Sequence, residues 1–69
     1  MSIKIAIMAF RAIEARGIKS GVTATDLIEA DVTKRLQFDS KDHLAQNIQA
    51  AALKCSWSRN RRTGKYDKF

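Results

Sequence analysis

The sequence holds no proline, one cysteine, one histidine and three glycines in 69 residues. A single cysteine excludes an internal disulfide and a cysteine-based metal site, and it suits a reducing cytosol. Cys55 falls between a helical pattern and a strand pattern, where a buried structural thiol is expected and no base stands ready to activate it. His43 lies among acids and amides near a helix start, a surface position rather than a ligand position. No nucleophile–base pair or metal-binding cluster is in view, so the expectation is a non-enzymatic protein with no metal, cofactor or small-molecule substrate. Long apolar runs are lacking too. Lys4, Arg11 and Glu14 interrupt the apolar N-terminal stretch well short of a membrane span, and it lacks the layout of a signal peptide. A soluble, cytoplasmic protein without membrane contact is expected. No repeat or linker divides residues 1–69, which makes them one small domain with a marginal core.

The charge is unevenly spread. From Lys54 to Phe69 there are six basic side chains and one acid, whereas the residues before them carry seven basic and six acidic ones. Nearly all of the formal charge of +6 therefore sits on the C-terminal stretch. In that stretch Trp57 and Tyr66 flank a tip of Arg61, Arg62, Thr63, Gly64 and Lys65, which reads as two short strands joined by a turn in which Gly64 takes positive φ. A localised basic ribbon with aromatics is the electrostatic footprint of a phosphate-backbone binder.

The helices can be placed from spacing and caps. Ile3, Ala6, Ile7, Phe10 and Ile13 recur at helical intervals and Gly17 is a natural stop, so a first helix is expected over 3–16. Ile5, Met8 and Ala12 fall on its opposite side. Two readings fit this pattern: a second contact surface on Ile5, Met8 and Ala12 that serves as a homodimer seam, or a strand over 2–7 with Ile3, Ile5 and Ile7 on one face. Thr23 and Asp26 form a capping box and Val22 with Leu27 a hydrophobic staple, which starts a second helix over 24–31. Leu27 and Ile28 should face inward, with Glu29 and Asp31 on an acidic outer face. Residues 32–40 read as a break in which Lys34 and Arg35 stand in solvent or touch one more phosphate. Asp39 or Ser40 then caps a third helix over 41–54, with Leu44, Ile48, Ala51, Ala52 and Cys55 on its core face. Asp42, Gln46 and Gln49 lie opposite, with Asn47 at the flank. Leu53 falls on that polar side, where it packs under Trp57 or belongs to a partner surface.

The order of three helices followed by a basic hairpin is the plan of a winged helix-turn-helix, an α+β and mainly helical fold. The run from Leu44 to Tyr66 resembles the end of winged-helix modules of phage and plasmid primase-helicase-type replication proteins. Ile48, Ala52, Trp57, the arginines between 59 and 62, Gly64 and Tyr66 carry the likeness. Cys55 and Ser56 depart from it, standing where such modules often have a larger apolar residue and a glycine. The resemblance implies a DNA-binding accessory factor of a phage or mobile element in replication or transcription control. It places the third helix against the major groove of double-stranded DNA with Lys41, Gln46 and Gln49 as contacts. Arg59, Arg61, Arg62 and Lys65 of the wing hold phosphates or reach into the adjacent minor groove.

Two other functions fit the same residues. One is a protein-interaction module docking on a host or phage enzyme through Ile5, Met8, Ala12 and Leu53. The other is single-strand binding by base stacking on Trp57 and Tyr66.

Overall fold

The computed structural model describes residues 2–69, with side chains from Ile3 onward. Three α-helices, α1 (Ser2–Ala15), α2 (Ala24–Ala30) and α3 (Lys41–Lys54), precede an antiparallel hairpin of β1 (Trp57–Arg59) and β2 (Tyr66–Lys68). The architecture is α+β and mainly helical, as expected from the sequence.

Helix α1 begins by residue 2, so the strand reading of 2–7 does not hold. It packs chiefly along α3, with α2 and a 3₁₀ turn at Leu36–Phe38 also against it. Because several elements press on α1, its buried arc is turned toward the row Ile5, Ala9 and Ile13, which share a face at i, i+4 spacing. Ile3 and Ile7 are left half-buried at the margin of that arc. The expected outer surface of Ile5, Met8 and Ala12 is corrected accordingly. Ile5 belongs to the core, Ala12 is half-buried, and only Met8 stands out in solvent.

Helix α2 starts where the local signals put it. The Thr23 hydroxyl accepts from the Asp26 N–H at 3.2 Å and the Asp26 carboxylate accepts from the Thr23 N–H at 2.9 Å. Val22 and Leu27 are both buried. The far end is a correction, because the helix stops at Ala30 and Asp31 is its C-cap with an extended backbone. Asp31 is only 3% exposed and takes no part in an acidic outer face. Its carboxylate instead holds the connector to α3. Oδ1 accepts from the N–H and hydroxyl of Thr33 at 2.9 and 2.6 Å, and Oδ2 accepts from the Leu36 N–H at 2.9 Å. This draws Leu36 fully into the core while Val32 and Phe38 remain in solvent. Burial pushes the Asp31 carboxyl up, but the hydrogen bonds from Leu36, Thr33 and the Arg35 amide outweigh it and set its pKa below the ordinary value.

Helix α3 is capped by Ser40, whose hydroxyl accepts from the His43 N–H at 3.3 Å. Ile48, Ala51 and Ala52 are buried, with Leu44 and Cys55 partly so. The small side chains let α3 lie close to α1. A turn at Cys55 and Ser56 then reverses the chain, with Ser56 at φ +62°, a conformation that disfavours a Cβ.

Candidate nucleic-acid interface

The hairpin register pairs Trp57 with Lys68, Ser58 with Asp67 and Arg59 with Tyr66. Directly opposed residues of antiparallel strands share a face, so Trp57, Arg59, Tyr66 and Lys68 lie on one side of the ribbon and Ser58 and Asp67 on the other. Both aromatics of the first side are buried against α1. The Phe10 ring lies 5.2 Å from that of Trp57 and 5.6 Å from that of Tyr66, the second pair nearly edge-to-face. The two aromatics do not face each other across the ladder. Phe10 stands between them and fastens both strands to the helical layer. Trp57 is fully buried and offers no platform to a base, and Leu53, at 71% exposure, does not pack beneath it.

The return strand is fixed from its other edge as well. Val22 and Tyr66 exchange backbone hydrogen bonds of 3.0 and 2.7 Å, which makes Val22 a one-residue third strand. The Gly21 N–H donates to the Asp67 carboxylate at 2.9 Å, and the Lys68 N–H to the Lys19 carbonyl at 2.7 Å. The Lys68 ammonium donates to the Cys55 carbonyl and lies 3.5 Å from the Glu14 carboxylate. Lys68 is thus a fastening of the wing root rather than a cation offered outward.

Beyond this root the tip is held by one residue that sequence reasoning did not single out. The Asn60 side-chain oxygen accepts from the N–H groups of Arg62 and Thr63 at 2.8 and 3.3 Å, while the Asn60 N–H donates to the Lys65 carbonyl at 2.8 Å. An asparagine two residues ahead of a turn amide is a recognised turn former, so the signal was in the sequence. Gly64 completes the turn at φ +74°, and the Arg59 guanidinium lies 3.6 Å from where a Cβ at this position would stand. Arg59, Arg61, Arg62 and Lys65 are all exposed on this ordered tip.

The third helix presents its polar face beside the wing. Ala45, Gln46, Gln49, Ala50 and Leu53 from α3 meet Arg59 and Tyr66 from the hairpin around an open groove of about 540 Å³. Of the seven nucleic-acid contacts expected from sequence, Gln46, Gln49 and Arg59 are brought together here. Arg61, Arg62 and Lys65 stand on the adjoining tip, whereas Lys41 lies in the first turn of α3 outside the groove lining. Leu53, expected as a partner surface, is a wall of the same groove. Asn47 is engaged elsewhere, its amide donating to the Asp39 carboxylate at 3.2 Å. Burial in the groove floor pushes the Tyr66 hydroxyl above its ordinary pKa, with the Arg59 charge partly opposing.

Among the described residues no group of three or more His, Cys, Asp or Glu is placed to hold a metal ion, and no helix is long and apolar enough to cross a membrane. Comparison with protein-family models, curated proteins and solved structures finds no match for this chain. The candidate interface therefore stands on its own geometry.

Proposed function

We propose that this chain is a small non-enzymatic protein that binds double-stranded DNA in the manner of a winged helix-turn-helix. The observation that carries the proposal is the groove in which the exposed amides of Gln46 and Gln49 meet Arg59 at the root of a cationic tip. A phosphate-backbone binder needs cations on a surface that keeps its shape, and the tip residues stand on a turn tied by Asn60 and rooted through Phe10. Carboxamides beside that surface have the donor–acceptor pair that base edges require. In this reading α3 lies in the major groove, the wing holds phosphates beside it, and the protein serves as an accessory factor of phage or mobile-element replication or transcription.

The test is fluorescence anisotropy of labelled random duplex and of the matched single strand at two salt concentrations. Duplex binding with a log–log salt slope of about −4 is expected from four wing cations. The Arg61→Glu, Arg62→Glu double variant should lose duplex retention while its helical circular dichroism is unchanged. No duplex binding at low salt would reject the proposal.

Met8 and Leu53, 51% and 71% exposed, favour a second reading, a module that docks on another protein or on a second copy of itself. In that case the double variant keeps its function. A wild type that sediments as a monomer at high concentration, like Met8→Asp, would remove the homodimer.

A further inference from the structure

The chemistry of the groove is more specific than its charge. Along the α3 wall every contributing side chain is either a carboxamide or apolar: Ala45, Gln46, Gln49, Ala50 and Leu53. No lysine, arginine or acid of α3 lines it. Lys41 and Lys54 sit in the first and last turns of that helix, and Asp42 and His43 lie outside the lining.

The four base pairs differ in the major groove in ways that match such a wall unequally. Adenine offers an N7 acceptor and an N6 donor, which one glutamine amide satisfies together. Thymine offers a methyl group, which packs against small or aliphatic side chains. Guanine is read best by a cation and cytosine by a carboxylate. The α3 wall, with two amides and three apolar side chains, therefore has partners for adenine and thymine, while the one guanine-type partner of the groove, Arg59, stands on the hairpin side.

The exposure of Leu53 agrees with this reading. A leucine 71% exposed on the polar side of a helix has no role in the core. Ala50, half-buried, lies one helical turn away at i−3. Together they form an apolar strip beside Gln46 and Gln49.

We infer that this groove reads A·T base pairs through the major groove, with Gln46 and Gln49 on adenine and Leu53 with Ala50 on thymine methyls. The inference rests on the duplex-binding reading above and adds the class of sequence that the same site takes. Arg59, on the opposite wall, supplies affinity at the backbone and leaves the choice of base to α3.

The experiment compares short duplexes of mixed A·T sequence and of mixed G·C sequence by anisotropy at one salt concentration. Two modified A·T duplexes are added: one with uracil for thymine, which lacks only the methyl, and one with 7-deaza-adenine, which lacks only the N7 acceptor. The expected result is a preference of roughly tenfold or more for A·T over G·C, reduced severalfold by either modification. Leu53→Ala should bind the thymine and uracil duplexes alike, and Gln46→Ala with Gln49→Ala should bind the adenine and 7-deaza-adenine duplexes alike. The three substituted side chains are all exposed, and circular dichroism checks that the variants fold. The salt slope should stay as in the wild type, because the wing cations are untouched.

Equal binding of A·T and G·C duplexes would overturn this inference while leaving duplex binding in place. An A·T preference that ignores both modifications would overturn it too, assigning the choice to the wing in the minor groove. Failure to bind any duplex would remove the inference together with the reading beneath it.

Discussion

The wing tip and the α2–α3 connector both carry exposed cations, and each is tied by the side chain of an Asx residue. In the wing tip the Asn60 amide oxygen collects the N–H groups of Arg62 and Thr63 in solvent. In the α2–α3 connector the Asp31 carboxylate collects Thr33 and Leu36 from inside the core. The same device has different consequences. Asn60 is neutral and exposed, so removing it loosens only the tip. Asp31 is charged and buried, and it pulls Leu36 into the core that α1 shares. One connector shapes a surface, whereas the other also holds the fold together. The burial of a turn former thus matters as much as its hydrogen bonds.

The hairpin root sets the upper end of this comparison. Trp57→Ala should cost about 3–5 kcal/mol, the range for emptying a buried aromatic site. That is most of the stability of a chain this size, on the order of 5 kcal/mol. Loss of cooperative thermal unfolding is the expected readout. Retention of a sharp transition near that of the wild type would show that the wing is not needed for the core.

Asp31→Ala comes next, at about 2–3 kcal/mol, because the buried Leu36 N–H loses its acceptor together with the partly buried donors of Thr33. Its pH dependence separates the two connectors. The folded pKa of Asp31 lies below its unfolded value, so its contribution is complete above the unfolded value and fades as pH falls through the folded one. Urea melts of the wild type should therefore lose stability below about pH 4. Asp31→Asn should be weaker at neutral pH and should show less of this acid loss.

Asn60→Ala should cost about 1 kcal/mol or less, with no such pH dependence, since its bonds are exposed and uncharged. Its larger effect should be on duplex affinity, through disorder of Arg61 and Arg62. Amide exchange of Arg62 and Thr63 would show the loosening directly. Smallest of all is Ser56→Gly. It relieves a left-handed backbone at φ +62° but frees the unfolded chain, for a net gain of about 0.5 kcal/mol in chemical melts.

The features legible in the sequence were those written in short spacings. Thr23 and Asp26 sit three apart, the apolar and small residues of α3 recur at helical intervals, and Trp57, Gly64 and Tyr66 punctuate a hairpin. Each is decided by neighbours along the chain, so α2, α3 and the wing were placed within a residue or two. Asn60 was equally local and could have been recognised by the same turn rule.

What a linear reading could not decide was which side of an element meets another element. Ile5 turned inward because α2, α3 and the Leu36 turn together widen the buried arc of α1. Asp31 reads as a surface acid in the linear sequence because its amide donors become partners only once the connector folds back over the core. Leu53 stays in solvent, and the ring that packs on Trp57 is Phe10, from near the other end of the chain. The local code of caps, periods and turn residues determined where the helices and strands lie. Packing between distant segments, through burial and the hydrogen bonds it demands, decided which side chains they hide and which they leave facing the groove.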